Sequence, residues 1–138
     1  MTPQQIAVVQ ASFARIFPVK ARMAQAFYDR LFEVAPGVRP HFPEDMTHQR
    51  QKFADTLVDV VRLLSVPDAL GRALAELSGR HRAYGARPDQ LAPVGEALLH
   101  ALERETPGGL SDAERTAWAA AYGAVAEAMA PHLEDEAA

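Results

Sequence analysis

Apolar residues in this chain recur at intervals of three and four, and β-branched residues form no alternating runs, so the pattern is that of helices throughout. Thr2-Pro3-Gln4-Gln5 places a threonine at the N-cap, a proline at the first helical position and a glutamine three after the cap. That capping box predicts a helix over about 3–16. Pro18 interrupts, and a second helix follows over about 19–34, with Ala24, Phe27, Tyr28, Leu31 and Phe32 on adjoining faces. Pro36, Pro40 and Pro43 leave room only for a short helical turn ending near Phe42. Thr47 opens a further helix whose inward stripe reads Gln49, Phe53, Leu57, Val60 and Leu64, and Pro67 starts the next. In that helix Leu70, Leu74, Leu77, His81 and Tyr84 lie within about 80° of one another at about 100° per residue. Gly85 then suits a left-handed position just past the helix end.

Pro88 opens another helix with Leu91, Val94, Leu98 and Leu102 on its apolar side, and Pro93, about one turn in, is expected to bend its start. Ser111-Asp112-Ala113-Glu114 is a second capping box and leads into a last helix bearing Trp118, Tyr122, Val125 and Met129. The count is six substantial helices and one short one, with no repeat, low-complexity tract or linker. The chain reads as a single all-α domain over 1–138.

Composition narrows the class of partner. A chain of 138 residues, 49% apolar and 23% charged, has the make-up of a soluble domain that buries roughly two-thirds of its unfolded surface. A net charge of −4, with no lysine or arginine run, argues against nucleic acid or an anionic membrane as the main partner and for a small bound molecule. The absence of cysteine excludes disulfides, thiolate metal sites and cysteine nucleophiles. No apolar run approaches the ~18 residues of a membrane span, and "MTPQQIAVVQASF" has neither a basic start nor a continuous apolar stretch, which points to the cytoplasm.

Of five histidines, four have ordinary placements: His41 in the proline-bounded turn, His100 and His132 on helix surfaces, and His48 one position off the stripe that holds Gln49. His81 differs, because an imidazole on an apolar stripe loses its water unless something replaces it. Taken alone it reads as a core histidine bonded to a backbone carbonyl. Gln49, one turn before Phe53 on its own stripe, and Tyr28, a phenol among apolar neighbours, each have an equally plain reading as a residue at the edge of the core. A cavity holding a polar ligand accounts for all three at once, with a basic nitrogen on one wall and two hydrogen-bond donors on the other. No HExxH, phosphate-cradling glycine loop or GxSxG motif competes. Glu44, Asp45 and His48 read as helix-start charge rather than a metal site, and Glu134, Asp135 and Glu136 as a solvated terminal run.

The segments "AFYDRLFEVAPGVRPHF" (26–42), "QRQKFADTL" (49–57), "RHRAYGARPDQLAPVGEALLHAL" (80–102) and "AWAAAYG" (117–123), in this order and spacing, resemble the bacterial single-domain haemoglobins and the haem domain of flavohaemoglobins over essentially the whole chain. The resemblance implies the three-over-three globin fold around haem b, iron protoporphyrin IX. It implies that His81 is the proximal iron ligand through its outer nitrogen, with the Leu77 carbonyl in reach of the other N–H. Phe42 matches the phenylalanine that wedges the haem plane, and Tyr28 and Gln49 match the distal pair that donates hydrogen bonds to a bound gas. Phe53, Leu57, Leu77, Leu91 and Val94 would line the apolar pocket, and Lys52, Arg80 or Arg82 would meet the propionates.

Three departures from the family pattern qualify the function. The chain ends without the reductase of flavohaemoglobins, so turnover would draw on an external electron donor. Leu91 and Leu133 stand where flavohaemoglobins carry a tyrosine and a glutamate that polarise the proximal histidine. Phe53 stands where leucine is commoner, which implies a tighter distal pocket. The expected function is reversible O2 binding, for carriage or storage, with NO and CO as further ligands. The alternative is a nitric oxide dioxygenase served by a separate reductase. A gas sensor and a haem-free helical interaction module rank behind both.

Overall fold

A computed structural model describes residues 1–83 and 87–134, and the expectations for Tyr84, Gly85, Asp135 and Glu136 lie outside the described residues, as do those for the side chains of Arg82 and Glu134. The described residues form six α-helices in order: α1 (Pro3–Ile16), α2 (Lys20–Val34), α3 (Thr47–Leu63), α4 (Pro67–Ala83), α5 (Leu91–Glu105) and α6 (Asp112–Glu134). No strand occurs among the described residues.

Both capping boxes form. Thr2 Oγ1 accepts from the Gln5 amide at 3.1 Å while the Thr2 amide donates to Gln5 Oε1 at 2.9 Å. The Ser111–Glu114 pair repeats this at 3.1 and 2.8 Å. Arg15 reaches from α1 to Glu114 at 2.9 Å and to the carbonyl of Pro107 at 2.7 Å, so the start of α6 is fixed against α1. The turn between α5 and α6 needs its two glycines, since Gly108 and Gly109 have φ of 83° and 76°, in the left-handed region that side chains disfavour.

Two prolines mark helix starts, Pro18 as the sequence implies. Pro18 lies inside a 3-10 turn over Phe17–Val19, so the second helix begins at Lys20. Pro93 stands nearer the start of its helix than the sequence implies. The chain takes a 3-10 turn over Pro88–Gln90 and α5 begins at Leu91, which leaves Pro93 in the first turn, where an N–H has no partner within the helix. Thr47 is the first residue of α3 rather than its cap, and Asp45 Oδ1 accepts the Thr47 amide at 3.0 Å. The Asp45 carboxyl is held below its ordinary range chiefly by that backbone bond, which gives it the helix-start role.

The core gathers Val9, Phe13 and Ile16 of α1, Met23, Phe27 and Leu31 of α2, Leu98 and Leu102 of α5, and Trp118 of α6. The broadest packing is between α2 and α5, where Ala97 and Ala101 are fully buried and let the backbones approach. In addition α4 and α1 lie on α6, and α3 lies on α2 and touches α4. Trp118 satisfies its buried indole N–H on Ser12 Oγ at 2.9 Å, joining α1 to α6. Among the described residues no helix is long and apolar enough to cross a membrane.

Candidate functional site

Three apolar stripes run out of the core, each in one direction. On α3, Gln49, Phe53, Leu57 and Val60 are only half-buried, and burial is reached at Leu64. The most buried positions of that helix, Ala54 and Val61, lie one residue later than the stripe. On α4 the series passes from buried Leu74 through half-buried Leu77 to exposed His81, and on α5 from buried Leu102 and Leu98 to half-buried Val94 and Leu91. Phe42, Phe53, Leu57 and Val94 each rest one side on the core and leave the other side open. The stripes thus continue as apolar surface beyond the packed core, at the ends carrying Gln49, His81 and Leu91.

Tyr28 occupies a cage of rings. Its own ring is 6% exposed and lies 4.9 Å from Phe27, 5.9 Å from Phe32, 5.6 Å from Phe42 and 5.6 Å from Phe53, with Phe27, Phe42 and Phe53 all edge-on. Phe53 is pinned in turn by stacking on Phe27 at 4.1 Å with planes 10° apart. Gln49 Nε2 donates to the Tyr28 hydroxyl at 3.1 Å, which brings together two polar residues separated by 21 positions. Because the phenol oxygen accepts this bond, its own proton remains to be donated elsewhere. Burial raises the Tyr28 pKa, the Gln49 bond opposes this more weakly, and the phenol stays protonated at neutral pH.

His81 is held by its own helix. The ring Nδ1 lies 2.9 Å from the Leu77 carbonyl, the acceptor expected from the spacing. A carbonyl can only accept, so Nδ1 carries the hydrogen and Nε2 keeps a bare lone pair. Burial pushes the His81 pKa below the ordinary imidazole value, against the Leu77 bond, which raises it, and with a smaller push down from Arg80. The side chain is nonetheless exposed by area. The ring is thus reachable yet partly desolvated, and the desolvation favours its neutral form. Beneath it, fully buried Ser78 satisfies its hydroxyl on the Leu74 carbonyl at 2.7 Å.

The other sequence-expected residues fall into the same two groups. Tyr28, Phe42, Gln49 and Phe53 meet in the ring cage, whereas Leu77 and His81 share a hydrogen bond on α4. No hydrogen bond joins His81 to Tyr28 or Gln49. Leu91 is tied through its carbonyl to the hydroxyl of Tyr122, whose ring covers Gly95 so closely that a Cβ there would stand 2.5 Å from Cε2. Burial pushes the Tyr122 pKa up to about 12. Leu133 is buried and apolar. Lys52 and Arg80 are exposed, as are His41, His48 and His132, and His100 is half-buried. Among the described residues no three His, Asp or Glu side chains are grouped to hold a metal ion.

Arg39 escaped the sequence reading. Its guanidinium donates to the carbonyls of Phe42 and Pro43 at 3.2 and 3.0 Å and to that of Glu44 at 3.3 Å, and it covers the Phe32 ring 5.0 Å from the centroid. An arginine three residues before Phe42, in a turn whose prolines supply few N–H groups, was the available signal.

A family model described as globin matches residues 25–129. The chain is 31% identical over 111 residues to a flavohemoprotein of Rhizobium meliloti, covering 77% of this chain and 27% of that protein. It is 27% identical over 136 residues to a flavohemoprotein of Deinococcus radiodurans, covering 94% of this chain and 33% of that one. The chain therefore spans a third or less of the length of these relatives. In solved structures it resembles a bacterial globin from Campylobacter jejuni, with a TM-score of 0.82 over 99% of both chains at 19% identity, a likeness of fold.

Proposed function

The chain belongs to the globin family, and from that premise we propose that it holds haem b between its two groups of site residues and binds diatomic gases, O2 foremost, reversibly. The observation that carries the reading is the pairing of a neutral imidazole with a bare Nε2 on α4 and a phenol with an uncommitted proton on α2, at the ends of apolar stripes that outrun the core.

The residues present fit the group. Neutral imidazole is the form in which histidine ligates metals, and an Nδ1–H bonded to a carbonyl is the outer contact that orients such a ligand. His81 has both. Phe42, Phe53, Leu57, Leu77, Leu91 and Val94, each half-buried, offer the apolar contacts that a flat macrocycle takes. When bound, the haem iron supplies the reversible ligation of the gas. Tyr28 keeps its proton on the hydroxyl and would offer it as a hydrogen bond to the ligand, while Gln49 fixes the phenol by bonding its oxygen. A hydrogen bond to a partly charged acceptor contributes about 1.5–3 kcal/mol, so the pair favours slow release. The rings around Tyr28 would keep water away from that hydrogen bond.

A second reading, nitric oxide dioxygenase with a separate reductase, draws on the similarity to flavohemoproteins. The proximal side favours the carrier. Among the described residues the charge that bears on the His81 pKa is that of Arg80 rather than a carboxylate, and Leu133 is apolar and buried. Titrating haem into the purified protein should give a Soret band saturating at one equivalent; no band would overturn the proposal. Mixing the oxygenated protein with NO and cellular reductant should then give one stoichiometric burst, and sustained NO consumption would select the dioxygenase.

A further inference from the structure

We propose that Arg39 is a positioning residue for the distal side: it fixes Phe42 and, through Phe42 and Phe32, sets the ring of Tyr28. This rests on the function proposed above for what Tyr28 donates to, but the clamp itself stands on local geometry. Residues 42–44 follow a 3-10 turn over Pro36–His41 and precede α3, whose ladder first takes up the carbonyl of Met46, so their own carbonyls need other donors. Pro40 and Pro43 remove two of the segment's own donors. One guanidinium replaces them, reaching the carbonyls of Phe42, Pro43 and Glu44 at 3.2, 3.0 and 3.3 Å. The Phe42 amide closes the loop by donating to the Arg39 carbonyl at 3.1 Å.

The same guanidinium lies over the face of Phe32. Phe32 lies 5.5 Å from Phe42 and 5.9 Å from Tyr28, and Phe42 meets Tyr28 edge-on at 5.6 Å. Two of the four rings that confine Tyr28 are therefore held by Arg39, one through its backbone and one through its face. Among the described residues no ion pair involves Arg39, whose hydrogen-bond partners are all backbone carbonyls. What the site uses is the planar fork, which can bond three carbonyls and stack at once; a lysine ammonium reproduces the charge and neither of those features.

The test compares Arg39→Ala and Arg39→Lys in two measurements. In the protein as purified, amide hydrogen exchange over 42–47 should speed up roughly tenfold or more in both variants, with α1 and α6 unchanged, as expected when local opening becomes easier. In the CO complex of the haem-loaded protein, the C–O stretching band reports hydrogen-bond donation from Tyr28. Arg39→Ala should move it toward the position seen in Tyr28→Phe and raise the O2 off-rate roughly three- to tenfold, the size of a misaligned rather than a lost bond. In the Tyr28→Phe background, Arg39→Ala should move the band no further. Wild-type exchange in Arg39→Lys, or an equal band shift with and without Tyr28, would overturn the proposal. Failure to take up haem would sink the preceding reading instead, and the exchange measurement would still decide the clamp.

Discussion

Around Tyr28, side chains hold side chains: Gln49 bonds the phenol, and four aromatic rings confine it. On α4 and α6, the polar groups are held by backbone, with His81 on the Leu77 carbonyl, Ser78 on the Leu74 carbonyl and Tyr122 on the Leu91 carbonyl. The difference has a consequence for how each side can change. A side-chain partner disappears with one substitution, whereas a helix carbonyl stays whatever residue occupies its position. The imidazole tautomer is thus fixed by helix geometry, and the strength of donation from the phenol is open to adjustment by residues such as Gln49, Phe53 and Arg39.

The sharpest break of that contrast is His81→Ala, which removes the one nitrogen that the backbone presents. Haem retention through gel filtration should fall to near nothing, read as the Soret absorbance per protein. Leu77→Ala keeps the carbonyl and should keep the haem. If His81→Ala retained haem with an unaltered spectrum, His81 would not be the ligand and the backbone-held side would lose its role.

On the other side the effects should be graded. Tyr28→Phe deletes the donated proton while preserving the ring cage, so the O2 off-rate should rise by about ten- to a hundredfold, the equivalent of a 1.5–3 kcal/mol bond. Gln49→Leu removes the bond that orients the phenol and should raise it by less. Unchanged off-rates in both, measured by stopped-flow displacement with CO, would remove the distal role of the pair.

These contrasts also explain what could be read in the sequence. Helix starts were legible because Thr2–Gln5 and Ser111–Glu114 are local devices, complete within four residues. The His81–Leu77 bond was legible for the same reason, being one turn long. Gln49 and Tyr28 were suspected only as polar residues out of place, because their bond spans two helices. Arg39 was missed since its partners are carbonyls, which leave no mark in the side-chain pattern. The bend expected at Pro93 depended on where α5 begins, and the 3-10 turn at Pro88–Gln90 moved that start. Tyr122 looked like one more apolar position of the last helix. Only the packing against Gly95 shows why a tyrosine lies there.

That contact gives the smallest and most discriminating effect. In Gly95→Ala the new Cβ would fall 2.5 Å from Tyr122 Cε2, so the ring must shift, and a shifted ring cannot keep its hydroxyl on the Leu91 carbonyl. The loss should be about 1–3 kcal/mol, as for other overpacked sites, measured by chemical denaturation. Tyr122→Phe keeps the ring and deletes the bond, for about 1 kcal/mol. If the ring is held as described, adding Tyr122→Phe to Gly95→Ala should cost nothing further, and full additivity would mean that the two residues do not share this contact. Tyr122→Phe should also alter the alkaline limb. The hydroxyl ionises near its ordinary value of 10.0 in the unfolded chain and at about 12 in the fold, so the stability it contributes is complete below 10 and is lost as pH climbs toward 12. Removing the hydroxyl should flatten the decline in stability over that interval, and an unchanged slope would show that Tyr122 is not the buried phenol responsible.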